Sequence, residues 1–275
     1  MSLDVAHGTF FTSHVADCPD VAPECATTFI PPHMHRVQLA LTHAEVEADY
    51  GLRESMQLAV RVPYDIKVMR VHYTTLDGAP FVPPYGDIHH RDETLTGISD
   101  ASIGIDFSPH DAWTFGIGTT LPAGHTVPDP IALGREGKFH EHIQFGSGTF
   151  EPKLAVQWKR SMWIARGEAK LSLYENSHGY RAPTTFVWSL GPSFRAGRFG
   201  IDPRLTGQVQ SLGRWSGVVD EGSGFRNAGV RLLLSAPAGS VVVAPGVYRE
   251  VWSHGLGGQT FRQGTTFSLS LSRAF

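Results

Sequence analysis

Residues 150–173 read FEPKLAVQWKRSMWIARGEAKLSL, and apolar and polar side chains alternate through almost all of this stretch. Side chains of a β-strand point to opposite faces in turn, so the pattern predicts two strands, each with one apolar and one polar face. Before the break at Arg160–Ser161 the apolar face carries Phe150, Pro152, Leu154, Val156 and Trp158. After the break it carries Trp163, Ala165, Gly167, Ala169, Leu171 and Leu173. The stretch therefore predicts a hairpin with one side against an apolar environment and the other against water.

The same alternation continues along most of the chain and is interrupted by connections of two kinds. Short turns are predicted at 51–54, 108–111, 160–161, 196–199 and 236–239. Long loops are predicted at 15–35, 76–95, 126–146, 175–183, 216–226 and 255–264. Short and long connections alternate along the chain and separate about twelve strands, which is the pattern of an outer-membrane β-barrel.

The composition restricts the classes of protein that this pattern can represent. The formal net charge is −3 and the pI is near 6.5, so no basic field argues for nucleic-acid binding. No run of ~18 apolar residues is present, which excludes a helical membrane protein. The mean hydropathy of −0.13 is compatible with a membrane β-barrel, because its lipid-facing and lumen-facing residues average out.

We therefore predict an all-β fold: one monomeric transmembrane antiparallel β-barrel of about twelve strands over residues 1–275, surrounded by outer-membrane lipid. The short turns then lie in the periplasm, and the long loops, including 15–35, 76–95 and 126–146, are extracellular. The rival interpretation is a soluble β-sandwich or lipocalin-like barrel with its apolar faces inside. Prolines within predicted strands count against a closed sheet, because each lacks the N–H of a ladder bond. They are Pro63, Pro152, Pro192, Pro203 and Pro245.

The second predicted strand changes the face that carries its apolar side chains. Val37, Leu39 and Leu41 share one face, whereas Ala44, Val46 and the alternate residues after them share the other. This change of phase predicts a β-bulge near Thr42–His43.

The two cysteines, Cys18 and Cys25, lie close together in a loop that is rich in Pro and Asp. Such a pair predicts a local disulfide and hence an oxidising compartment. Two unpaired thiols remain an alternative, and zinc binding is less favoured because the C-x₂-C spacing is missing. No signal peptide is visible before Leu3, so an exported protein would correspond to a mature form with an added Met1.

Several segments resemble those of a family of Gram-negative outer-membrane proteins of the MetA-pathway phenol-degradation or FadL-like transporter type. The segments are Gly97–Ile105, Tyr50–Tyr64, Phe145–Pro152 and Gly257–Gln259. The last strand, which ends at Phe275, is similar to the general barrel-assembly signal, although Arg273 stands where an aromatic residue is usual. The resemblance spans about residues 36–275, and it implies an outer-membrane barrel that transports a small solute.

The polar faces carry charges of both signs, which a barrel would enclose in its lumen. We predict that these residues line a polar permeation path, or alternatively that they pair across a narrow bore and form a plug. They are Glu45, Glu47, Asp49, Arg61, Lys67, Glu151, Lys153, Arg166, Glu168, Lys170 and Arg204.

Histidines concentrate in the predicted extracellular loops. In an extended segment, His-x-His places both imidazoles on one side, and pairs from several loops would complete a Zn²⁺ or Cu²⁺ site. The alternative is that solvated loops simply carry polar residues. The candidate ligands are His33, His35, His89, His90, His140 and His142.

The sequence predicts that the protein is not an enzyme. Some barrels of this size are lipid hydrolases with a Ser/His relay, and Asn176-Ser177-His178 is the only nearby candidate. Ser177 and His178 are sequence neighbours, so their side chains point to opposite faces of an extended segment. We therefore expect an outer-membrane barrel that passes or binds a small, possibly hydrophobic or aromatic, solute. Metal binding is the alternative, no cofactor is certain, and no partner protein can be named.

Overall fold

The computed structural model describes residues 1–18, 25, 27–85, 87, 90–141, 143–257 and 261–275. Almost all of its regular structure is β-strand, and a short helix, α1, spans Pro130–Arg135. The first nine strands are β1 Ser2–Ala16, β2 His33–Arg53, β3 Met56–Thr75, β4 Glu93–Ile98, β5 Ala101–His110, β6 Trp113–Leu121, β7 Pro152–Arg160, β8 Trp163–Lys170 and β9 Tyr180–Arg181. The others are β10 Thr185–Pro192, β11 Phe194–Ala196, β12 Phe199–Gln210, β13 Gly213–Trp215, β14 Val218–Asp220, β15 Phe225–Ala238, β16 Val241–Gly255, β17 Arg262–Gln263 and β18 Thr265–Ser272.

The strands close into an antiparallel barrel of 12 wall strands, as the sequence predicts. β1 pairs with both β2 and β18, and β10 pairs with both β8 and β12, so the sheet closes on itself. β4 and β5 pair in succession with β3 and together form one wall strand. Closure leaves each wall strand with a hydrogen-bonded neighbour on both sides, which a sheet surrounded by lipid requires.

Short and long connections lie at opposite ends of the barrel. The hairpins β2–β3, β5–β6, β7–β8, β11–β12 and β15–β16 define what we call the turn end, and the longer connections define the loop end. The predicted alternation of short turns and long loops is confirmed. At the loop end, β9, β13 and β14 form a small separate sheet, in which Trp215 packs against Tyr180 with ring centroids 4.5 Å apart.

Apolar side chains face outward around the barrel and remain exposed on the isolated chain. Ile105, Ile117 and Leu154 are direct neighbours on β5, β6 and β7, and their exposed fractions are 36%, 67% and 49%. Near the turn end the exposed side chains include an aromatic girdle, typical of a membrane–water boundary. It comprises Phe107, Trp113, Trp163, Phe194 and Phe199.

The outward faces of β2 and β3 become polar towards the loop end. Arg36 and His72 lie opposite each other and are exposed, as is Arg70 opposite Gln38. The strand segments beyond these residues, which include His33 and His35, therefore project past the apolar belt.

The predicted β-bulge near Thr42–His43 is wrong. β2 pairs with β3 without interruption from His33 to Gly51, and the register shifts only between Gly51 and Arg53. The apolar side chains change face because Val37 and Leu39 point into the barrel and line its interior near the loop end. The interior is therefore apolar on one side near the loop end, and it carries charged side chains nearer the turn end.

On one of its two sides, each of the five strand prolines lies at the end of a ladder or in a gap of it. Pro63 lies where β3 changes partner from β5 to β4, and Pro152 begins β7. Pro192 ends β10, and Pro203 lies beyond Leu190–Leu205, the last pair of β10 with β12. Pro245 lies in a gap of the β15–β16 pairing. The missing N–H groups therefore do not prevent closure, since a proline is tolerated where no ladder bond is required.

Cys18 and Cys25 form a disulfide in the connection between β1 and β2, with their Cα atoms 5.7 Å apart. The predicted local disulfide is confirmed. In the described part of the chain, no helix has both the length and the apolar character that a membrane span requires.

Candidate functional site

The interior of the barrel contains a large cavity at the loop end and a smaller one at the turn end. The loop-end cavity has a volume of about 1120 Å³, and the turn-end cavity has a volume of about 450 Å³. Both are lined by inward-facing strand residues, so they are the two halves of the lumen. The candidate site is this lumen together with the loops that fold over it.

Charged side chains narrow the lumen between the two cavities. Arg61 on β3 pairs with Glu47 on β2 at 2.8 Å. Glu168 on β8 pairs with Lys153 on β7 at 3.0 Å and with Arg166 at 3.1 Å. A space of about 40 Å³ remains beside Arg61 and Glu168, which is room for only a few waters. The charges therefore form a barrier to a wide aqueous path.

The wall beside this barrier is built of very small residues. Ala59, Gly104, Gly118 and Ala155 line the same narrow space. A Cβ atom at Gly118 would lie 2.5 Å from the carbonyl oxygen of Ile103, so the close approach of β5 and β6 requires glycine there. The small wall leaves room for the long side chains of the neighbouring strands to reach across the lumen.

The structure distributes the predicted lumen residues over the whole length of the barrel. Glu45, Lys67, Lys153 and Lys170 line the loop-end cavity, and Arg166 lines the turn-end cavity. Six predicted residues line neither cavity. Arg61 and Glu168 line the narrow space between the cavities, and Glu47 pairs with Arg61. Glu151 pairs with Lys170, Arg204 pairs with Asp202, and Asp49 is exposed on β2. The paired arrangement is the one that the plug alternative predicts, although whether the residues form a permeation path is still a prediction.

The connection between β6 and β7 folds into the loop end of the lumen and is held there by Asp100. The carboxylate of Asp100 accepts hydrogen bonds from the backbone N–H of Gly124 at 3.0 Å and from the N–H and hydroxyl of Ser147 at 2.7 and 2.9 Å. Asp100 lies in the break between β4 and β5, which turns its side chain towards this segment. This role could not be predicted from the sequence, because the partners of Asp100 are remote in the chain.

Lys67 and Phe145 fix the tip of the same segment. The Lys67 ammonium donates to the carbonyl oxygen of Gln144 and lies 4.4 Å from the centroid of the Phe145 ring. The ring also packs against Gly97, where an added Cβ would meet it at 3.4 Å. The inserted segment thereby contributes apolar surface to the cavity, next to Leu95 and Ile143.

A chain of buried hydrogen bonds lies at the loop end of β2. His33 Nδ1 is 3.0 Å from the carbonyl oxygen of Pro31, and His33 Nε2 is 3.1 Å from Nε2 of His35. The Tyr85 hydroxyl is 2.9 Å from the same His33 Nε2. His33 is fully buried and His35 is 5% exposed, so these contacts occur away from water.

Two further histidines approach His35, and we call His14, His35 and His90 the histidine cluster. His14 on β1 lies opposite His35 in the strand register, and His90 comes from the connection between β3 and β4. The ring centroids are 5.2 Å apart for His14 and His35, 5.2 Å for His14 and His90, and 5.4 Å for His35 and His90. All three residues line the loop-end cavity.

Asp87 and Tyr73 position His90. The backbone N–H of His90 donates to Asp87 Oδ1 at 2.9 Å. The Tyr73 hydroxyl lies 2.9 Å from Asp87 Oδ2 and 3.0 Å from the carbonyl oxygen of His90, so it can donate to either.

Burial dominates the electrostatics of this region, which lies past the apolar belt. It lowers the pKa of His35 to about 4, although Asp87 acts in the opposite direction. Burial also lowers the pKa of His14, and it raises the pKa of the Tyr85 hydroxyl to about 12. His14 and His35 are therefore neutral imidazoles at pH 7.

The structure brings together only part of the predicted metal set. His33 and His90 each lie beside His35, with ring centroids 5.0 and 5.4 Å from it. His140 lines the same cavity, and its Nδ1 lies 2.8 Å from the carbonyl oxygen of Lys138. His89 and His142 lie outside the described residues. His14 was missed, because its approach to His35 depends on the pairing of β1 with β2.

Asn176, from the Asn176-Ser177-His178 sequence, has a role in loop structure. Its Oδ1 accepts from the backbone N–H groups of His178 at 2.8 Å and Tyr180 at 3.0 Å, and its Nδ2 donates to the carbonyl oxygen of Ser147. Its amide thus links the β8–β10 connection to the segment inserted in the lumen.

No family model and no curated protein matches the sequence. Among solved structures, the COG4313 outer membrane channel from Pseudomonas putida F1 aligns over 100% of this chain and 95% of that chain, with a TM-score of 0.58 and 10% identity. The CymD monoaromatic hydrocarbon channel aligns over 100% and 88%, with a TM-score of 0.49 and 9% identity. The Pseudomonas putida toluene transporter TodX aligns over 100% and 89%, with a TM-score of 0.47 and 9% identity. The alignment with the COG4313 channel spans the whole chain and shows that the chain has the fold of an outer-membrane channel, in agreement with the barrel that the resemblance implies.

Proposed function

We propose that the protein is an outer-membrane channel that passes a small solute with an apolar part. The observation that carries this proposal is the loop-end cavity of about 1120 Å³ inside a closed barrel, with apolar side chains on one wall. Val37, Leu39 and Met69 from β2 and β3 form that wall, and Ile143 and Phe145 of the inserted segment add further apolar surface to the cavity. A cavity that combines apolar surface with a few polar groups suits a small amphipathic molecule.

The proposed orientation follows from the two ends of the barrel. We place the turn end in the periplasm and the loop end outside the cell, because short periplasmic turns and longer extracellular loops are the rule for such barrels. A solute then enters the large cavity first and reaches the charged barrier at Arg61 and Glu168 afterwards. The apolar wall favours entry of the apolar part, and the barrier restricts the passage of bulk water and ions.

Ion conductance tests the channel most simply. Purified protein in a planar bilayer should give discrete single-channel currents, and addition of benzyl alcohol should produce brief blocks of the current. Met69→Asn should shorten or remove these blocks, because it makes the apolar wall polar, whereas glycerol should produce none in either protein. A trace without any channel events would contradict the proposal.

Asp100→Ala should make the single-channel current fluctuate severalfold more often, while the charged barrier still limits the maximum conductance. The substitution removes the acceptor for Gly124 and Ser147, so the segment inserted in the lumen loses the contacts that hold it in place. Each lost hydrogen bond to a charged group is worth about 1.5–3 kcal/mol, which is enough to shift the segment towards a released position. Single-channel recording of the variant measures the change.

Asp129→Ala is the matched control. Asp129 also accepts three hydrogen bonds, from the N–H groups of Ile131 and Ala132 and from the Ser216 hydroxyl. Asp129 lies in the connection between β6 and β7, as do Gly124 and Ser147, but it does not line the loop-end cavity. The current of this variant should fluctuate as often as that of the wild type, and an equal rise in both variants would mean that Asp100 has no specific role.

A further inference from the structure

Three imidazoles from three separate segments converge on one side of the loop-end cavity. His14 belongs to β1, His35 to β2 and His90 to the connection between β3 and β4. One ligand nitrogen from each can be chosen so that all three atoms lie within 4.8 Å of one another. We propose that the histidine cluster binds one divalent transition-metal ion, for which Zn²⁺ is the reference ion, with the Asp87 carboxylate beside it. This proposal does not depend on the channel function.

The spacing of the three nitrogens is close to that of a metal site. With Zn–N bonds of about 2.0–2.1 Å, the nitrogens of a tetrahedral site lie about 3.3 Å apart. The observed separations exceed this value by about an ångström and a half at most, which small rotations of three side chains would close. Three histidines with one further ligand are a common zinc donor set.

The hydrogen bonds of His33 bear on which nitrogen of His35 is available. A carbonyl oxygen accepts only, so His33 Nδ1 donates to Pro31 and His33 Nε2 carries the lone pair. His33 Nε2 has one lone pair, and both His35 Nε2 at 3.1 Å and the Tyr85 hydroxyl at 2.9 Å are near enough to donate to it. When His35 Nε2 is the donor, the lone pair of His35 is on Nδ1, which is the tautomer that a metal ligand at Nδ1 requires. A ligating histidine typically has its other N–H held by such an acceptor.

Two nitrogens of the histidine cluster are buried without a hydrogen-bond partner in the described part of the chain. They are Nδ1 of His35, whose residue is 5% exposed, and Nδ1 of His14. Buried polar atoms are nearly always satisfied, so two unsatisfied nitrogens in one cluster require an explanation. A cation bound between them would satisfy both nitrogens at once, with each Nδ1 unprotonated.

Asp87 supplies the negative charge that a divalent ion needs. Its Oδ2 lies 3.7 Å from His35 Nδ1, which is too far for a hydrogen bond and is on the side of the available lone pair. Its two oxygens also contact the His90 N–H and the Tyr73 hydroxyl, so the carboxylate is held in place. A metal ion at this position would join β1, β2 and the β3–β4 connection.

Titration of Zn²⁺ into protein that has been treated with EDTA and held in detergent micelles tests the proposal. Calorimetry should give one ion per chain, and His14→Ala, His35→Ala and His90→Ala should each abolish this binding. His33→Ala should weaken it by about 10–100-fold, as loss of an outer hydrogen-bond partner does. Cu²⁺ bound to the wild type should show nitrogen hyperfine structure in its EPR spectrum, which adventitious binding to carboxylates would lack.

His72→Ala is the matched control, because His72 is exposed on the outer face of β3 near the same end of the barrel. It should bind Zn²⁺ as the wild type does. Heat-modifiable migration on a gel would confirm that each variant remains a folded barrel, and His14→Ala and His90→Ala keep the test valid if His35→Ala does not fold. Absence of binding to the wild type, or binding that survives all three substitutions, would overturn the proposal.

Discussion

Ile117→Arg should destabilise the folded barrel by about 2–4 kcal/mol, which is the cost of a cationic side chain on the lipid face near the bilayer midplane. Ile117 is 67% exposed on the isolated chain and lies between Ile105 and Leu154 on the neighbouring strands. In a soluble protein, the same substitution at so exposed a position would change stability by no more than about 0.5 kcal/mol. Urea unfolding in lipid vesicles measures the difference.

Gln57→Arg provides the control for this substitution. Gln57 lines the turn-end cavity on the inner face of β3, and its amide donates to Asp106 Oδ2 at 3.3 Å. An arginine there faces water and keeps an acidic partner, so stability should remain close to that of the wild type. If both variants were equally stable, the outward face of β6 would not contact lipid.

Lys170→Ala should destabilise the barrel by about 3–5 kcal/mol, because it leaves the carboxylate of Glu151 buried and without its partner. Glu151 is completely buried, and its Oε2 accepts from the Lys170 ammonium at 2.7 Å. Its other oxygen has no hydrogen-bond partner among the described residues. Unfolding of the variant in micelles, compared with the wild type, measures the loss.

Two further variants test whether the loss of stability comes from breaking the buried Glu151–Lys170 pair or from any change of charge in the lumen. Lys153→Ala should cost no more than about 1 kcal/mol, because Glu168 is partly exposed and keeps Arg166 at 3.1 Å. The double variant with Glu151→Gln and Lys170→Met should recover most of the stability, since no buried charge remains. A double variant as unstable as Lys170→Ala would show that the pair itself is not the cause.

Local periodicity was sufficient to predict the strands and their two faces. The alternation in residues 150–173 identifies β7 and β8, because a period of two depends only on neighbouring residues. The positions of the turns follow from the same pattern. The prediction of a bulge near Thr42–His43 was wrong. The pattern shows which residues share a face, but it does not show whether that face contacts lipid or an apolar part of the cavity.

The parts of the site that depend on remote pairing could not be predicted in this way. His14 is 21 residues from His35 in the chain, and only the β1–β2 register places them opposite each other. Asp100 likewise meets Ser147 across 47 residues, through a break in a wall strand that periodicity does not show. The expectation that the strand prolines count against a closed sheet was wrong, because a sequence does not show where the ladder between two remote strands is interrupted.

In an outer-membrane barrel the apolar outer face of the sheet contacts lipid and the charged inner face contacts water. Nitroxide labels on cysteines introduced at Ile117 and at Gln57, with the protein in lipid vesicles, test this arrangement by EPR relaxation. We expect the label at 117 to collide mainly with oxygen dissolved in the bilayer, and the label at 57 mainly with a water-soluble nickel chelate. The reverse pattern, or chelate access at both positions, would show that the outer face does not contact lipid.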